Sequence, residues 1–200
     1  MDNWEIDLNK SARAFHTHIR PIFIDLCGGE IIHTEALDDC SFSRHLDIHS
    51  GIDAWHVHPD HGARGLALRV QSMEYPFHTF TIRKSRNSGT KTEYQKRKEA
   101  IEKGWLYPHL TIQGYVSSFD DEGELLCFAI GRTSQLLERI DALETLRSTQ
   151  GEYAVLEDCY TDSTYNADFY VIHWTQQNSL YTHLSDDYKV KINWRENVFA

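Results

Sequence analysis

The sequence has no long hydrophobic run. Its longest apolar stretches, "IFI" and "LLCFAI", are far shorter than the roughly 20 apolar residues that cross a bilayer as a helix. The first residues, "MDNWEIDLNK", lack the basic and apolar regions of a signal peptide. We therefore expect a cytoplasmic protein that does not associate with a membrane.

Cysteine is scarce, and no C-x-x-C pair is present. The four cysteines are scattered along the chain: Cys27, Cys40, Cys127 and Cys159. In a cytosolic protein this spacing predicts reduced thiols, and it argues against a zinc site built from thiolates alone. The chain also lacks internal repeats and linker-like segments, so one domain over residues 1–200 is expected. A hydrophobic content of 40% is high enough to exclude a disordered chain.

The order of predicted elements indicates the fold class. Apolar residues recur at helical spacing over residues 8–26, where Pro21 is expected to kink or end the helix before Gly28 and Gly29. Strands are predicted at "EIIHTEA", "GIDAWHV", "GLALRVQ", "HTFTIR", "LTIQGYVSSF", "ELLCFAIGRT", "YAVLED" and "FYVIHWT". The order α-β-β-β-β-α-β-β-α-β-β predicts a mixed α/β (α+β) fold, with a largely antiparallel central sheet flanked by helices.

Two more helices are predicted between these strands. The first, "TEYQKRKEAIEKG", has Thr90 or Thr92 as its N-cap and ends at Gly104. The second, "SQLLERIDALETL", has Thr133 or Ser134 as its N-cap. Three residues of the first helix are expected to face inward: Tyr94, Ala100 and Ile101.

Positive charge is concentrated in one segment of an acidic chain. The formal net charge is −10, yet residues 83–98 carry seven basic residues against Glu93 alone, a local charge of +6. The seven are Arg83, Lys84, Arg86, Lys91, Lys96, Arg97 and Lys98. Two interpretations are open: a solvated helix face, or an anion-binding segment built around the turn at Gly89.

The segment "HVHPDHGARG" contains the spacing H-x-H-x-D-H, formed by His56, His58, Asp60 and His61. This spacing resembles the metal-binding signature of metallo-β-lactamase-fold hydrolases. The resemblance implies zinc or a related metal that activates a water molecule. Further ligands would come from His109, Asp120 or Asp141, and His173 or His183. In the alternative interpretation, the segment is a hairpin loop beside another site, because "GLALRVQ" alternates like a strand where that family has a helix.

The block from Asp53 to Tyr115 contains an Asp-bearing strand, a strand with Arg69 and Gln71, "FTIR", and "SGTKTE" before a helix. In these features it resembles a group of uncharacterised proteins encoded by phages and mobile elements. The layout is also similar to PD-(D/E)xK nucleases. That resemblance implies a restriction-endonuclease-like core over about residues 8–130, with a C-terminal extension over about 131–200. In such nucleases two carboxylates hold Mg²⁺ or Mn²⁺ beside the scissile phosphate.

The sequence departs from the nuclease pattern where Arg69 and Gln71 replace the acidic-x-Lys element. Either Glu93 supplies the second carboxylate and Lys91 or Lys96 the positive charge, or the site has lost metal chemistry and only binds phosphate. A third interpretation of Asp53 is a strand-edge residue that satisfies a turn. The candidate residues are therefore, for catalysis, Asp53, Glu93, Lys91 and Gln71; for phosphate, Arg69, Arg83, Lys84, Arg86 and Lys96; and for metal, Asp53, Glu93, His56, His58 and His61.

Three functions remain open from the sequence. The first is a nuclease-like protein that acts on or binds nucleic-acid phosphates, with Mg²⁺ or Mn²⁺ as cofactor if it is an enzyme. The second is a metallo-β-lactamase-fold hydrolase that uses zinc. The third is a non-enzymatic inhibitor that binds a host protein through charge complementarity.

Overall fold

The predicted mixed α+β fold is confirmed by a computed structural model that describes residues 10–34, 50–120, 122–164 and 167–184. The strands are β1 (Glu30–His33), β2 (Ala54–His58), β3 (Gly62–Ser72), β4 (Thr79–Arg83), β5 (Pro108–Val116), β6 (Leu125–Arg132), β7 (Cys159–Thr164), β8 (Ala167–His173) and β9 (Tyr181–Leu184). The helices are α1 (Arg20–Cys27), which follows a π-helical turn at Phe15–Ile19, α2 (Glu93–Glu102) and α3 (Thr133–Gln150).

The strands form two sheets. The central sheet has six strands in the order β1-β2-β3-β5-β6-β9, and the second has three in the order β4-β8-β7. Only β3 and β5 run parallel among the neighbouring strands of these described sheets, so the prediction of a largely antiparallel arrangement is confirmed. Strands β8 and β9 pair with β4 and β6, which joins the segment after residue 131 to the strands before it.

The central sheet lies between two apolar layers. On one face, the leading helical segment packs Phe15, Ile19 and Phe23 against residues such as Ile112 and Phe128. On the other face, α3 and the second sheet enclose a separate core that contains Phe80, Tyr115, Leu136, Ile140 and Ile172. Because side chains alternate along a strand, odd-numbered residues of β3 and β5 face the second sheet.

The first helix continues past Pro21. Residues 10–27 are helical, and the backbone N–H of Arg20 donates to the carbonyl oxygen of Phe15, five residues back. Pro21 therefore lies directly after the π-helical turn, where the hydrogen-bonding pattern changes to that of α1. Gly28 and Gly29 end the helix as expected, with φ angles of 67° and 70° that favour glycine.

The predicted N-cap is confirmed for α2 and wrong for α3. Thr92 is the N-cap of α2 and forms a capping box with Gln95, which confirms one of the two expected caps. The predicted cap of α3 is wrong, because its N-cap is Arg132 and no side chain caps the helix. The Thr133 hydroxyl instead shares a 2.9 Å hydrogen bond with the hydroxyl of Thr111 on β5.

The predicted strand "YAVLED" is also wrong. Only Leu156 of its larger apolar side chains packs against the second core, while Tyr153 is 88% exposed and Val155 is 59% exposed. The strand that pairs with β8 begins later, at Cys159. It is the more polar segment "CYTDST", and it is a strand because β8 supplies its hydrogen bonds.

Three of the four cysteines, Cys27, Cys127 and Cys159, are buried free thiols, in agreement with the prediction. Cys40 lies outside the described residues. Within the described ranges, no helix is long and apolar enough to cross a membrane.

Candidate functional site

Helix α2 brings an acidic and a basic side chain to the same place. The Thr92 hydroxyl accepts the backbone N–H of Gln95 at 3.4 Å, and the Gln95 side-chain oxygen accepts the backbone N–H of Thr92 at 3.0 Å. This capping box fixes the first turn of the helix. Glu93 and Arg97 are four residues apart and therefore lie on the same helix face.

Glu93 lies between guanidinium groups from two different strands. Its Oε2 accepts the backbone N–H of Arg83, the last residue of β4, at 3.0 Å. The Arg83 Nη1 is 3.9 Å from Glu93 Oε1, and the Arg69 Nη1 is 4.0 Å from Glu93 Oε2. Both distances exceed the usual hydrogen-bond range of about 2.7–3.2 Å. The two guanidinium groups therefore attract the carboxylate by charge without forming close hydrogen bonds to it.

Arg97 is the third cation at this position and the most deeply buried one. It is only 6% exposed, and its Nε is buried with no hydrogen-bond partner in the described part of the chain. A Cβ added to Gly51 would lie 3.8 Å from that Nε, so the guanidinium group is next to the backbone just before β2. Arg97 interacts by charge with Glu93 and Asp53.

We call Arg69, Arg83, Arg97 and Glu93 the arginine cluster. Burial lowers the pKa values of Arg69 and Arg97, because it disfavours their charged forms. Burial alone would raise the pKa of Glu93, but the charges of Arg69 and Arg97 and the Arg83 N–H bond outweigh it, so the net shift is downward. Counted with Asp53, the cluster has three cations and two anions, a net charge of +1.

An aromatic ring lies against two of these arginines. In the pairing of β4 with β8, Arg83 is opposite Phe169. The guanidinium carbon of Arg83 is 5.4 Å from the centre of the Phe169 ring, and that of Arg69 is 5.1 Å from it. Cation–π contacts of this kind help to orient the guanidinium groups of Arg69 and Arg83 over the ring.

Gln71 belongs to a polar row next to the cluster, on the same side of the central sheet. Its side-chain oxygen accepts a hydrogen bond from Gln113 Nε2 at 2.9 Å, and the Thr81 hydroxyl donates to Gln113 Oε1 at 3.2 Å. Gln113 is fully buried. The row explains why β3 and β5 carry polar residues inward: their side chains satisfy each other between the two sheets.

Asp53 has a structural role at the edge of β2. Its Oδ2 accepts the backbone N–H of Leu68 at 2.7 Å, and its own N–H donates to Leu66 at 2.9 Å. Because β2 begins at Ala54, the carboxylate continues the hydrogen-bonding ladder beyond the strand. This agrees with the interpretation of Asp53 as a strand-edge residue, and it also places Asp53 near Arg97.

Several other basic residues of segment 83–98 form ion pairs with the chain's own carboxylates. The pairs are Lys84 with Glu144 at 3.3 Å, Lys98 with Asp141 at 2.6 Å, and Lys91 with Glu99. Lys91 is thus held at the surface by a residue two turns along α2. Arg86 has a buried Nε without a hydrogen-bond partner among the described residues, and Lys96 is half-buried on α2.

The histidine motif lies on the hairpin between β2 and β3, as the hairpin interpretation predicts. His56 is buried, donates from Nε2 to the carbonyl oxygen of Gly28 at 2.9 Å, and has its pKa lowered mainly by burial. His58 Nδ1 accepts the backbone N–H of Asp60 at 3.1 Å, and the rings of His58 and His61 are 4.6 Å apart. Among the residues that the structure describes, no three His, Cys, Asp or Glu are arranged to hold a metal ion. Zinc binding at this hairpin stays a prediction.

The sequence analysis placed Arg69, Gln71, Arg83, Glu93 and Asp53 in one site, and the structure brings the first four to the same inter-sheet region with Asp53 nearby. Arg97 was counted in the basic segment but was not named as a site residue. Its position one helical turn after Glu93 is the signal that would have identified it. Phe169 was also missed: the sequence predicted it as the first residue of the strand "FYVIHWT", in a C-terminal extension with no link to the site.

Comparison with protein-family models, with curated proteins and with solved structures finds no match for this chain. The function is therefore argued from the chemistry of the site and from the sequence block that contains it.

Proposed function

We propose that this protein binds nucleic acid by taking a phosphate group into the arginine cluster. The observation that carries the proposal is the convergence of Arg69, Arg83 and Arg97, from β3, β4 and α2, on the single carboxylate of Glu93. Guanidinium groups present planar forks of N–H donors that match phosphate oxygens.

The distances in the cluster favour a further anion. The Arg69 and Arg83 Nη1 atoms are 4.0 and 3.9 Å from the Glu93 carboxylate, and the Nε atoms of Arg83 and Arg97 are buried without partners among the described residues. Buried donors without acceptors are costly, and a phosphate could accept hydrogen bonds from them. A net positive charge adds a general attraction for an anion.

Nucleic acid is the proposed source of that phosphate for two reasons. The block that resembles nuclease-like proteins contains all of the residues of the cluster. The sequence around the cluster is also basic, with Lys84 and Arg86 between β4 and α2 and Lys96 on α2, and such a concentration of positive charge favours a phosphate backbone.

The same geometry favours binding over metal-dependent cleavage. A Mg²⁺ or Mn²⁺ ion at Asp53 and Glu93 would be repelled by three guanidinium groups. Asp53 Oδ2 also already accepts the Leu68 N–H. The residues present thus fit an anion better than a divalent cation, and we propose no hydrolytic step.

Fluorescence anisotropy with labelled oligonucleotides tests the proposal. We expect Arg69→Met to weaken binding by about tenfold or more and to reduce the salt slope by about one unit, because one phosphate contact is lost. Lys103→Met is the matched control: it removes one positive charge from the far end of α2 and should leave the affinity within about twofold. If the wild-type protein binds no oligonucleotide at low salt, or if both variants lose affinity equally, the proposal is wrong.

A further inference from the structure

The depth of the arginine cluster restricts which phosphate can reach all of it. The side chains of Arg69, Arg83 and Glu93 are 27%, 31% and 29% exposed, so the outer part of the cluster is partly open. Arg97, one helical turn after Glu93, is buried more deeply and is only 6% exposed. A ligand that contacts Arg97 must therefore reach deeper than one that contacts only Arg69 or Arg83.

A phosphate inside a nucleic-acid strand is poorly suited to that position. It has a nucleotide on each side, so the strand would have to run both in and out past the partly exposed side chains of Arg69 and Arg83. A terminal phosphate has only one attached nucleotide and can enter end-on. The number of donors agrees with this difference: guanidinium groups approach from three elements, and a phosphomonoester has three unbridged oxygens where a diester has two.

Glu93 provides a second distinction. Its carboxylate is held by the backbone N–H of Arg83 at 3.0 Å, so the Arg69 and Arg83 guanidinium groups can turn towards a ligand while that hydrogen bond stays intact. A carboxylate repels an approaching phosphate unless the phosphate carries a proton. A phosphomonoester has a second pKa of about 6 and can donate a P–OH hydrogen bond to a carboxylate, whereas a diester has no such proton.

We infer that the arginine cluster recognises a terminal phosphate, a phosphomonoester at the end of a nucleic-acid strand, rather than phosphates within the strand. Arg97 and Glu93 are the residues that make the distinction. Arg97 is reached only by the terminal group, and the Glu93 carboxylate accepts a hydrogen bond from its P–OH. The inference rests on the proposed function, because it names which nucleic-acid phosphate occupies the same site.

The test compares oligonucleotides of one sequence that differ only at their ends. One strand has a 5′-phosphate, one has a 3′-phosphate, and one has hydroxyl groups at both ends. We expect at least one phosphorylated strand to bind about tenfold or more tightly than the unphosphorylated strand, a difference of about 1.4 kcal/mol. A preference of the protein for the 5′- or the 3′-phosphorylated strand shows which end of the strand is bound.

Variants then assign the preference to the cluster. Arg97→Met should remove the preference for a phosphorylated end, Arg97→Lys should retain part of it, and Lys103→Met should retain all of it. Thermal unfolding of each variant confirms that it is folded, and the Lys variant keeps the test valid if the Met variant is not. An undiminished preference in folded Arg97→Met, or in Arg97→Lys if only that variant folds, would overturn the inference.

The two proposals fail in different ways. If all three strands bind equally and Arg69→Met weakens every one of them, the end-recognition inference is overturned and the proposed function stands. If none of the strands binds, both are overturned.

Discussion

Glu93 Oε2 accepts the backbone N–H of Arg83 at 3.0 Å, which ties the first turn of α2 to the last residue of β4. A backbone donor is fixed by the sheet, so the carboxylate keeps its position when nearby side chains move. Glu93 therefore acts as a stationary counter-ion, and the three guanidinium groups are arranged around it.

Arg97→Met should not destabilise the protein. Burial lowers the pKa of Arg97, and its Nε has no partner among the described residues, so the charge is costly to keep in this place. Replacing a buried ion pair by apolar side chains of similar size is often neutral or stabilising by about 1–4 kcal/mol, and here Arg69 and Arg83 still neutralise Glu93 after Arg97 is removed. Urea unfolding should give a free energy of unfolding equal to or above that of the wild type. A loss of more than about 2 kcal/mol would show that Arg97 is a structural residue.

Arg139→Met should have the opposite effect. Arg139 Nε donates to Asp158 Oδ1 and Oδ2 at 2.8 and 3.0 Å, and Asn178 Nδ2 donates to Asp158 Oδ2 at 2.7 Å. Burial alone would raise the pKa of Asp158, but these hydrogen bonds outweigh it and the net shift is downward. The charged form of the carboxylate therefore depends on these hydrogen bonds. Removing Arg139 leaves a buried anion without its cation, which should cost about 2–4 kcal/mol in the same urea experiment. An unchanged midpoint would contradict this interpretation.

Substitutions at Asp53 separate a structural from a catalytic role. Asp53→Asn keeps an oxygen that can accept the Leu68 N–H, so its stability should stay within about 1 kcal/mol of the wild type, whereas Asp53→Ala should lose about 1–2 kcal/mol. We expect Asp53→Asn to bind oligonucleotides as the wild type does. Incubation with DNA and Mg²⁺ or Mn²⁺ gives the alternative outcome. Cleavage by the wild type that is lost in Asp53→Asn would restore the nuclease interpretation.

His33 should make the protein less stable in mild acid. Burial, followed by the charges of His16 and Arg20, lowers its pKa from 6.5 to about 4. His33 is therefore protonated below about pH 6.5 in the unfolded chain, but only below about pH 4 in the folded chain. The contribution of His33 is fully present above pH 6.5 and is lost as the pH falls towards 4.

The corresponding experiment compares the wild type with His33→Gln. Between pH 6.5 and 4, the difference in free energy of unfolding should shift by about 1–2 kcal/mol in favour of the variant, after allowance for the partial exposure of His33. Urea unfolding over this range provides the measurement. Parallel pH profiles for the two proteins would show that His33 titrates normally in the folded state.

Local sequence patterns predicted the elements whose structure depends mainly on nearby residues. The β2–β3 hairpin follows from alternating strands around "HPDHGAR", and α2 follows from Thr92 at one end and Gly104 at the other. The inward face of α2 was predicted only in part. Ala100 is buried and Tyr94 packs against the second core, as predicted. Ile101 is instead exposed and Arg97 is buried, because the helix face that carries Glu93 and Arg97 contacts charged side chains.

Pairings between distant segments could not be predicted from local patterns. The parallel pairing of β3 with β5 places Arg69 opposite Gln113, and the pairing of β4 with β8 places Arg83 opposite Phe169. The sequence around each of these residues does not show which residue of the distant strand will lie opposite it. The failure at "YAVLED" has the same origin, since a strand is selected by the partner that supplies its hydrogen bonds, here β8.

The most direct test of the arginine cluster as a phosphate site is thermal unfolding of Glu93→Gln with and without inorganic phosphate at constant ionic strength. The variant leaves Arg69, Arg83 and Arg97 without the Glu93 carboxylate, so we expect it to be less stable by about 1–3 kcal/mol. Phosphate that binds the three guanidinium groups supplies the missing negative charge, so it should raise the Tm of the variant by several degrees more than that of the wild type, about the shift that 1 kcal/mol produces. Glu99→Gln, which changes the same residue type on α2 where its partners are Lys91 and Lys103, is the control. An equal response to phosphate in Glu93→Gln and Glu99→Gln would contradict the phosphate site.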